Sequence, residues 1–128
     1  MTELRPSLLI ADDDPLARAV LGVQLDTVFR LVGAATDSPE AVKLATDERP
    51  DAALIDVNMP GGGARTAIPA IAAGSPHTRL VILSAGEQEE AVADLLAAGA
   101  SAYVEKGSSG ARIANALMAA LAEIPPMG

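Results

Sequence analysis

Short apolar runs recur along the chain, and none of them alternates clearly between polar and apolar residues. Continuous runs of this length are typical of strands that are covered on both faces, as in a parallel sheet. The last run is shorter and more polar than the others, as an edge strand can be. The predicted strands are residues 8–11, 31–35, 52–55, 80–83 and 102–105.

The stretch after each run has the spacing of a helix. Pro15 takes a first-turn position in the first helix, and Leu16, Val20 and Val23 then share an apolar face. Apolar residues line up in the same way in the last helix, which is predicted from about residue 109 to residue 123.

Capping signals mark the ends of two further helices. Ser38 is the predicted N-cap of the second helix, which ends at about residue 48. Glu87, Glu89 and Glu90 begin the fourth helix, where negative charge suits the helix dipole. Gly99 is the predicted end of that helix.

The third predicted helix, about residues 64–73, is the least regular. Gly61, Gly62 and Gly63 precede it and are expected to loosen the loop. Pro69 lies within it and is expected to kink or delay the helix, because proline lacks a backbone N–H and clashes with the preceding turn.

The alternation of strands and helices predicts an α/β fold. Elements of this size form βαβ units with right-handed crossovers, which build a three-layer, doubly wound sandwich around a parallel sheet. A length of 128 residues fits a single domain, with its core at about residues 7–123. Residues 124–128 are expected to be a tail or the start of a linker.

Composition excludes several other classes of protein. Half of the residues are hydrophobic, which argues against disorder. With a net charge of −8 and no basic stripe, we expect no direct binding of nucleic acid. Cysteine is absent, no apolar stretch approaches the roughly 18 residues of a membrane span, and no signal peptide is visible. A soluble, cytoplasmic protein is the expectation.

Polar residues follow four of the predicted strands, and ligands of open parallel sheets bind beyond these carboxyl ends. Adjacent carboxylates repel one another and call for a cation, and oxygen ligands without histidine or cysteine suit Mg²⁺. A carboxylate beside a cation, a lysine and a hydroxyl has the groups needed to accept a phosphoryl group. The residues at these ends are Asp12, Asp13, Asp56, Ser84 and Lys106.

Four motifs at these strand ends, "ADDDP", "DVNMP", "LSA" and "YVEK", occur in the order found in one family. Over about residues 7–123 the sequence resembles a response-regulator receiver domain, the phospho-accepting module of two-component signalling. The resemblance implies a flavodoxin-like fold with strand order 2-1-3-4-5. It also implies that a sensor histidine kinase or a phosphotransfer protein donates the phosphoryl group.

The resemblance further implies how the metal is held. Asp56 would be the phosphorylated aspartate and would share Mg²⁺ with Asp13, which ligates the ion directly. Asp12 would act mainly through a bound water, and Asn58 would contribute its backbone carbonyl. Mn²⁺ is expected to substitute for Mg²⁺.

The remaining roles concern the phosphoryl group and the response to it. Ser84 and Lys106 would contact the phosphoryl oxygens, and Tyr103 matches the aromatic residue that turns inward when Ser84 moves. The switched population would bind an output domain or partner protein through the face made by the fourth helix, fifth strand and fifth helix. Phosphorylation is also expected to permit a homodimer. The protein would catalyse only its own phosphorylation and dephosphorylation, so it is not expected to be an enzyme.

One residue departs from the pattern of this family, and two alternative functions remain open. Gly107 stands where many receivers have proline after the lysine, so the backbone around Lys106 is expected to differ. A receiver-like scaffold that works without phosphate is one alternative. An aspartyl-phosphate phosphatase is a weaker one, because such enzymes usually carry an acid where this chain has Asn58.

Overall fold

A computed structural model describes residues 4–123, in which five strands alternate with five helices. Every element predicted from the apolar pattern is present, whereas the predicted tail or linker, residues 124–128, lies outside the described residues. Strands β1 to β5 are Ser7–Ala11, Arg30–Ala35, Ala52–Asp56, Arg79–Ser84 and Ala102–Glu105. Helices α1 to α5 are Pro15–Leu25, Ser38–Glu48, Gly63–Gly74, Glu89–Ala98 and Gly110–Ala122.

The strands form one parallel sheet in the order β2-β1-β3-β4-β5, as predicted. Because β1 lies between β2 and β3, the direction in which strands are added reverses at β1. Ala11 pairs with Ile55, and Asp56 pairs with Leu83, so the carboxyl ends of β1, β3 and β4 lie side by side. This is the crevice in which doubly wound sheets bind their ligands.

The central strands β1, β3 and β4 are buried on both faces, which explains why they show no polar alternation. Successive strand residues point to opposite faces, so Leu8 and Ile10 pack against α1 and α5 while Leu9 and Ala11 face the other helices. Among residues 4–123, no helix is both long enough and apolar enough to cross a membrane.

Helix α1 turns its predicted apolar face to solvent. Leu16, Val20 and Val23 do share a face, but their exposed fractions are 72%, 45% and 78%, so this face points to solvent. The buried residues of α1 are Leu21 and Leu25, on the opposite side of the helix. The sequence contains two apolar faces here, and only packing against the sheet and α5 selects between them.

The N-terminus of α2 also differs from its predicted form. Asp37 is the N-cap and accepts a hydrogen bond from the backbone N–H of Glu40 at 2.8 Å. Ser38, predicted to be the cap, is the first helical residue, and its buried hydroxyl donates to the carbonyl of Gly63 at 2.7 Å. A carboxylate one residue earlier therefore takes the capping position and leaves the serine for a tertiary contact.

Backbone hydrogen bonds hold the chain on either side of the three glycines before α3. The N–H of Ser38 donates to the carbonyl of Pro60, and the N–H of Ala64 donates to that of Val57. Gly63 has φ +63°, and a Cβ atom there would lie 2.3 Å from the Val57 carbonyl oxygen. Glycine is thus required at this position by both conformation and space.

Pro69 does not delay α3, which begins at Gly63 and continues past the proline to Gly74. Since proline has no N–H, one hydrogen bond of the helix is missing at this turn. Ala67, Ile68 and Ile71 are fully buried on either side of it, so packing against the sheet and α2 stabilises the helix.

Candidate functional site

Three carboxylates meet at the crevice between β1 and β3. Asp12 follows β1 and is 0% exposed, whereas Asp56 ends β3 and is 2% exposed. Asp13 is exposed at the rim, and a carboxylate oxygen from each of the three lies within 4.8 Å of the others. The fold therefore brings together acids that are more than forty positions apart in the sequence.

Lys106 lies between the two buried acids. Its Nζ is 3.0 Å from Oδ2 of Asp56 and 3.1 Å from Oδ2 of Asp12. The backbone N–H of Lys106 donates to the carbonyl of Ser84 at 2.7 Å, which extends the β4–β5 pairing to the lysine. Gly107 adopts φ +90°, and the described residues contain no cis peptide bond. Lys106 therefore reaches Asp12 and Asp56 although glycine, and not proline, follows it and the bond between them is trans.

The charges within this cluster influence one another strongly. Burial raises the pKa of Asp56, the ion pair with Lys106 opposes that rise, and the charge of Asp12 adds to it, so the pKa stays above its usual value. Burial lowers the pKa of Lys106, but hydrogen bonds to Asp56 and Asp12 outweigh this effect and raise it. Lys106 is consequently a permanent cation at neutral pH.

The remaining negative charge fits a divalent cation. Three carboxylates against a single ammonium leave two negative charges at the site. Oδ2 of Asp12 is buried and accepts no hydrogen bond from any described residue, although it lies close to Lys106. Asp13 and Asn58 line one shallow cleft. An unsatisfied oxygen among oxygen ligands suits Mg²⁺.

Ser84 is buried at the end of β4, where its hydroxyl already has a partner within the chain. Its Oγ donates to Oε2 of Glu87 at 2.7 Å, and the backbone N–H of Ala85 donates to the same oxygen at 2.7 Å. The other oxygen of Glu87 accepts from the side-chain amide of Asn58 at 3.1 Å. The sequence predicted that Glu87 begins α4. Instead, Glu87 belongs to the site.

The surroundings of Glu87 favour its charged form. Burial raises the pKa of Glu87, but hydrogen bonds from Ser84, from its own N–H, from Ala85 and from Asn58 outweigh burial and lower it. Helix α4 begins two residues later at Glu89, with Gln88 as the N-cap. Nothing in the local sequence distinguishes Glu87 from its acidic neighbours. Its carboxylate meets Ser84 through the fold of the loop around Gly86, which the local pattern does not reveal.

A second residue that the sequence did not single out supports the loop after β1. The guanidinium of Arg18 donates to the backbone carbonyl of Asp12 at 2.8 Å. Asp14 caps α1 by accepting from the N–H of Leu16, and its own N–H donates to Asp12. These contacts fix the backbone that presents the two acids.

Tyr103 lies outside the acidic cluster. Its side chain is 53% exposed on β5 and lines a cleft of about 340 Å³ that Ser84 and Glu87 also line. The predicted switch residues therefore share one cleft.

The acid–lysine cluster lies where the strand order of this doubly wound sheet reverses, which is where such sheets bind their ligands. The chain belongs to the response regulator receiver domain family, which matches residues 8–118. This agrees with the fold and function expected from its motifs, and neither the scaffold nor the phosphatase alternative is favoured by the comparisons.

Individual relatives support the same assignment. The chain is 31% identical over 112 residues to the response regulator GacA of Pseudomonas viridiflava, covering 86% of this chain and 52% of that protein. It is 34% identical over 115 residues to the transcriptional regulatory protein YxjL of Bacillus subtilis, covering 87% and 52%. The chain thus spans about half the length of the curated relatives it matches.

A solved structure is similar over nearly the whole chain. The receiver domain of the response regulator NarL from Mycobacterium tuberculosis superposes with a TM-score of 0.86 at 28% identity. The similarity covers 91% of this chain and 96% of that one.

Proposed function

We propose that Asp56 accepts a phosphoryl group from a phosphohistidine on a sensor histidine kinase or a phosphotransfer protein. The observation that carries this proposal is the ammonium of Lys106, 3.0 Å from Asp56 and 3.1 Å from Asp12 in the buried cluster. A carboxylate oxygen of Asp56 forms a bond to phosphorus while the P–N bond of the donor breaks. The electron pair of the P–N bond stays on the imidazole nitrogen. Lys106 and Ser84 then contact the phosphoryl oxygens.

The acidic residues would hold the metal that this transfer needs. Asp13 and Asp56 are its direct ligands in this proposal, Asp12 acts mainly through a water, and Asn58 offers its backbone carbonyl. Bound Mg²⁺ supplies positive charge that stabilises the phosphoryl oxygens during transfer. Mn²⁺ is proposed to substitute, because it also prefers oxygen ligands.

The consequence of phosphorylation is a change in binding by the surface of α4, β5 and α5. In this proposal Ser84 moves toward the phosphoryl group and Tyr103 turns inward, which alters the surface offered to an output domain, a partner protein or a second copy of the chain. The chain acts as a single cytoplasmic domain that binds neither nucleic acid nor membrane directly, and its only chemistry is on its own Asp56.

The test is phosphorylation by a small donor. We expect the protein, incubated with Mg²⁺ and acetyl phosphate, to gain a single phosphoryl group by intact mass, and Asp56→Asn to gain none. Asp47→Asn is the matched control, because Asp47 is an exposed acid paired with Lys43 on α2. Uptake by Asp56→Asn at the wild-type rate would show that another residue is the acceptor.

A further inference from the structure

The carboxylate of Glu87 occupies a site built from three donors. The Ser84 hydroxyl and the Ala85 N–H both donate to Oε2 at 2.7 Å, and the Asn58 amide donates to Oε1 at 3.1 Å. Both oxygens are thus bound by groups from two strand ends, β3 and β4. Hydrogen bonds to a charged acceptor are stronger than those to a neutral one, so this arrangement stabilises the loop between β4 and α4.

The same donors border the predicted acceptor. Asn58 directs its backbone N–H toward Oδ1 of Asp56, at 3.4 Å, while its side chain binds Glu87. Ser84 follows Leu83, which pairs directly with Asp56 across β3 and β4. A phosphoryl group on Asp56 would bring oxygens of higher negative charge to this rim, beside donors that Glu87 already occupies.

We propose that Glu87 is an internal competitor of the phosphoryl group, whose carboxylate holds Ser84, Ala85 and Asn58 until phosphorylation of Asp56 displaces it. The proposal rests on the proposed function, because it concerns the phosphoryl group that Asp56 accepts. Two negative groups cannot share these donors without repulsion. Occupation by Glu87 therefore lowers the affinity of the site for a phosphoryl group, and its departure frees Ser84.

The loop is built so that Glu87 can leave. Gly86 has φ +94°, and no heavy atom lies within 4 Å of the position where its Cβ would be. Gln88, the N-cap of α4, makes no side-chain capping hydrogen bond. The contacts of Glu87 link this loop to Asn58 and Ser84, and their loss would alter the chain two residues before α4 begins.

Titration with beryllofluoride, a mimic of the phosphoryl group, tests the competition. In the presence of Mg²⁺ we expect Glu87→Ala to bind beryllofluoride about tenfold more tightly than wild type, because the displaced contacts are charge-assisted. Glu87→Gln keeps an acceptor oxygen but no charge, so we expect a smaller gain. Glu90→Ala is the matched control, since Glu90 is an exposed acid on the first turn of α4.

A second measurement observes the contact without any phosphate mimic. We expect the NMR signals of the Asn58 side-chain amide to shift in Glu87→Ala and to stay unchanged in Glu90→Ala. A purely structural role of Glu87 would weaken beryllofluoride binding in Glu87→Ala, whereas competition strengthens it. The sign of the change therefore separates the two roles.

The outcomes also separate this inference from the function on which it rests. If wild type and all variants fail to bind beryllofluoride, the proposed function is wrong and the competition falls with it. If wild type binds and Glu87→Ala binds equally or more weakly, the competition is overturned while the acceptor site stands. Equal gains in Glu87→Ala and Glu90→Ala would overturn it as well, because they would indicate only a general effect of charge.

Discussion

A buried carboxylate such as Asp12 is costly unless its charge is compensated. Lys106 gives Asp12 and Asp56 a shared cation, and the N–H of Asp14 donates to Oδ1 of Asp12 at 2.9 Å. Oδ2 of Asp12 still lacks a hydrogen bond among the described residues. At the scale of single residues, the site is therefore incompletely compensated, and a metal ion is the natural complement.

Asp13→Asn tests this interpretation through thermal stability. We expect Mg²⁺ at about ten times its Kd to stabilise the wild type by about 1.4 kcal/mol, because the ion binds only the folded state. In Asp13→Asn we expect a slightly higher Tm without the ion, since repulsion is relieved, and little further rise with it. Calorimetry with Mg²⁺ and with a chelator measures both effects.

The control for this measurement is Asp47→Asn, which removes an acid far from the cluster. Its response to Mg²⁺ should equal that of the wild type. A full response in Asp13→Asn would remove Asp13 from the proposed ligands.

Among the elements, α1 shows most clearly that apolar spacing does not define a buried face. Leu16, Val20 and Val23 have ideal helical spacing and yet face solvent. Leu25 is fully buried, in contact with the core that includes Phe29. The position of the sheet determines which of the two faces is covered.

Two substitutions on α1 distinguish these faces. We expect Leu25→Ala to lower the free energy of unfolding by about 2–5 kcal/mol, because it leaves a cavity in the core. Val23→Ala should change it by less than about 0.5 kcal/mol, as is usual for exposed positions. Urea denaturation followed by circular dichroism provides both values, and similar losses for the two variants would contradict the observed orientation.

For the molecule as a whole, the central feature is a sheet that separates two hydrophobic cores. Leu54 packs with α1 and α5, whereas its neighbour Ile55 packs with α2, α3 and α4. The central strands β1, β3 and β4 each contribute residues to both cores, so neither core can form without the sheet. We therefore expect the two cores to unfold together.

Leu54→Ala and Ile55→Ala test this coupling. Each should cost about 2–5 kcal/mol, because each removes a fully buried side chain. Each should also leave a single unfolding transition in calorimetry, with the calorimetric and van't Hoff enthalpies in agreement. A separate low-temperature transition in either variant would show that its core unfolds independently.

The order and type of elements could be predicted from the sequence, because strands covered on both faces require continuous apolar runs and helices require apolar residues three or four positions apart. The candidate site could be predicted as well. Asp12, Asp56 and Lys106 each follow a predicted strand, and parallel strands place their carboxyl ends at one edge.

Only the tertiary structure decided which face of α1 is buried, that Asp37 and not Ser38 caps α2, and that Glu87 turns back to Ser84. In each case the local sequence permits more than one arrangement. Contacts between residues distant in sequence, such as Ser38 with Gly63 and Asn58 with Glu87, select one of them. Local patterns determine what an element is, whereas packing determines which of its side chains meet.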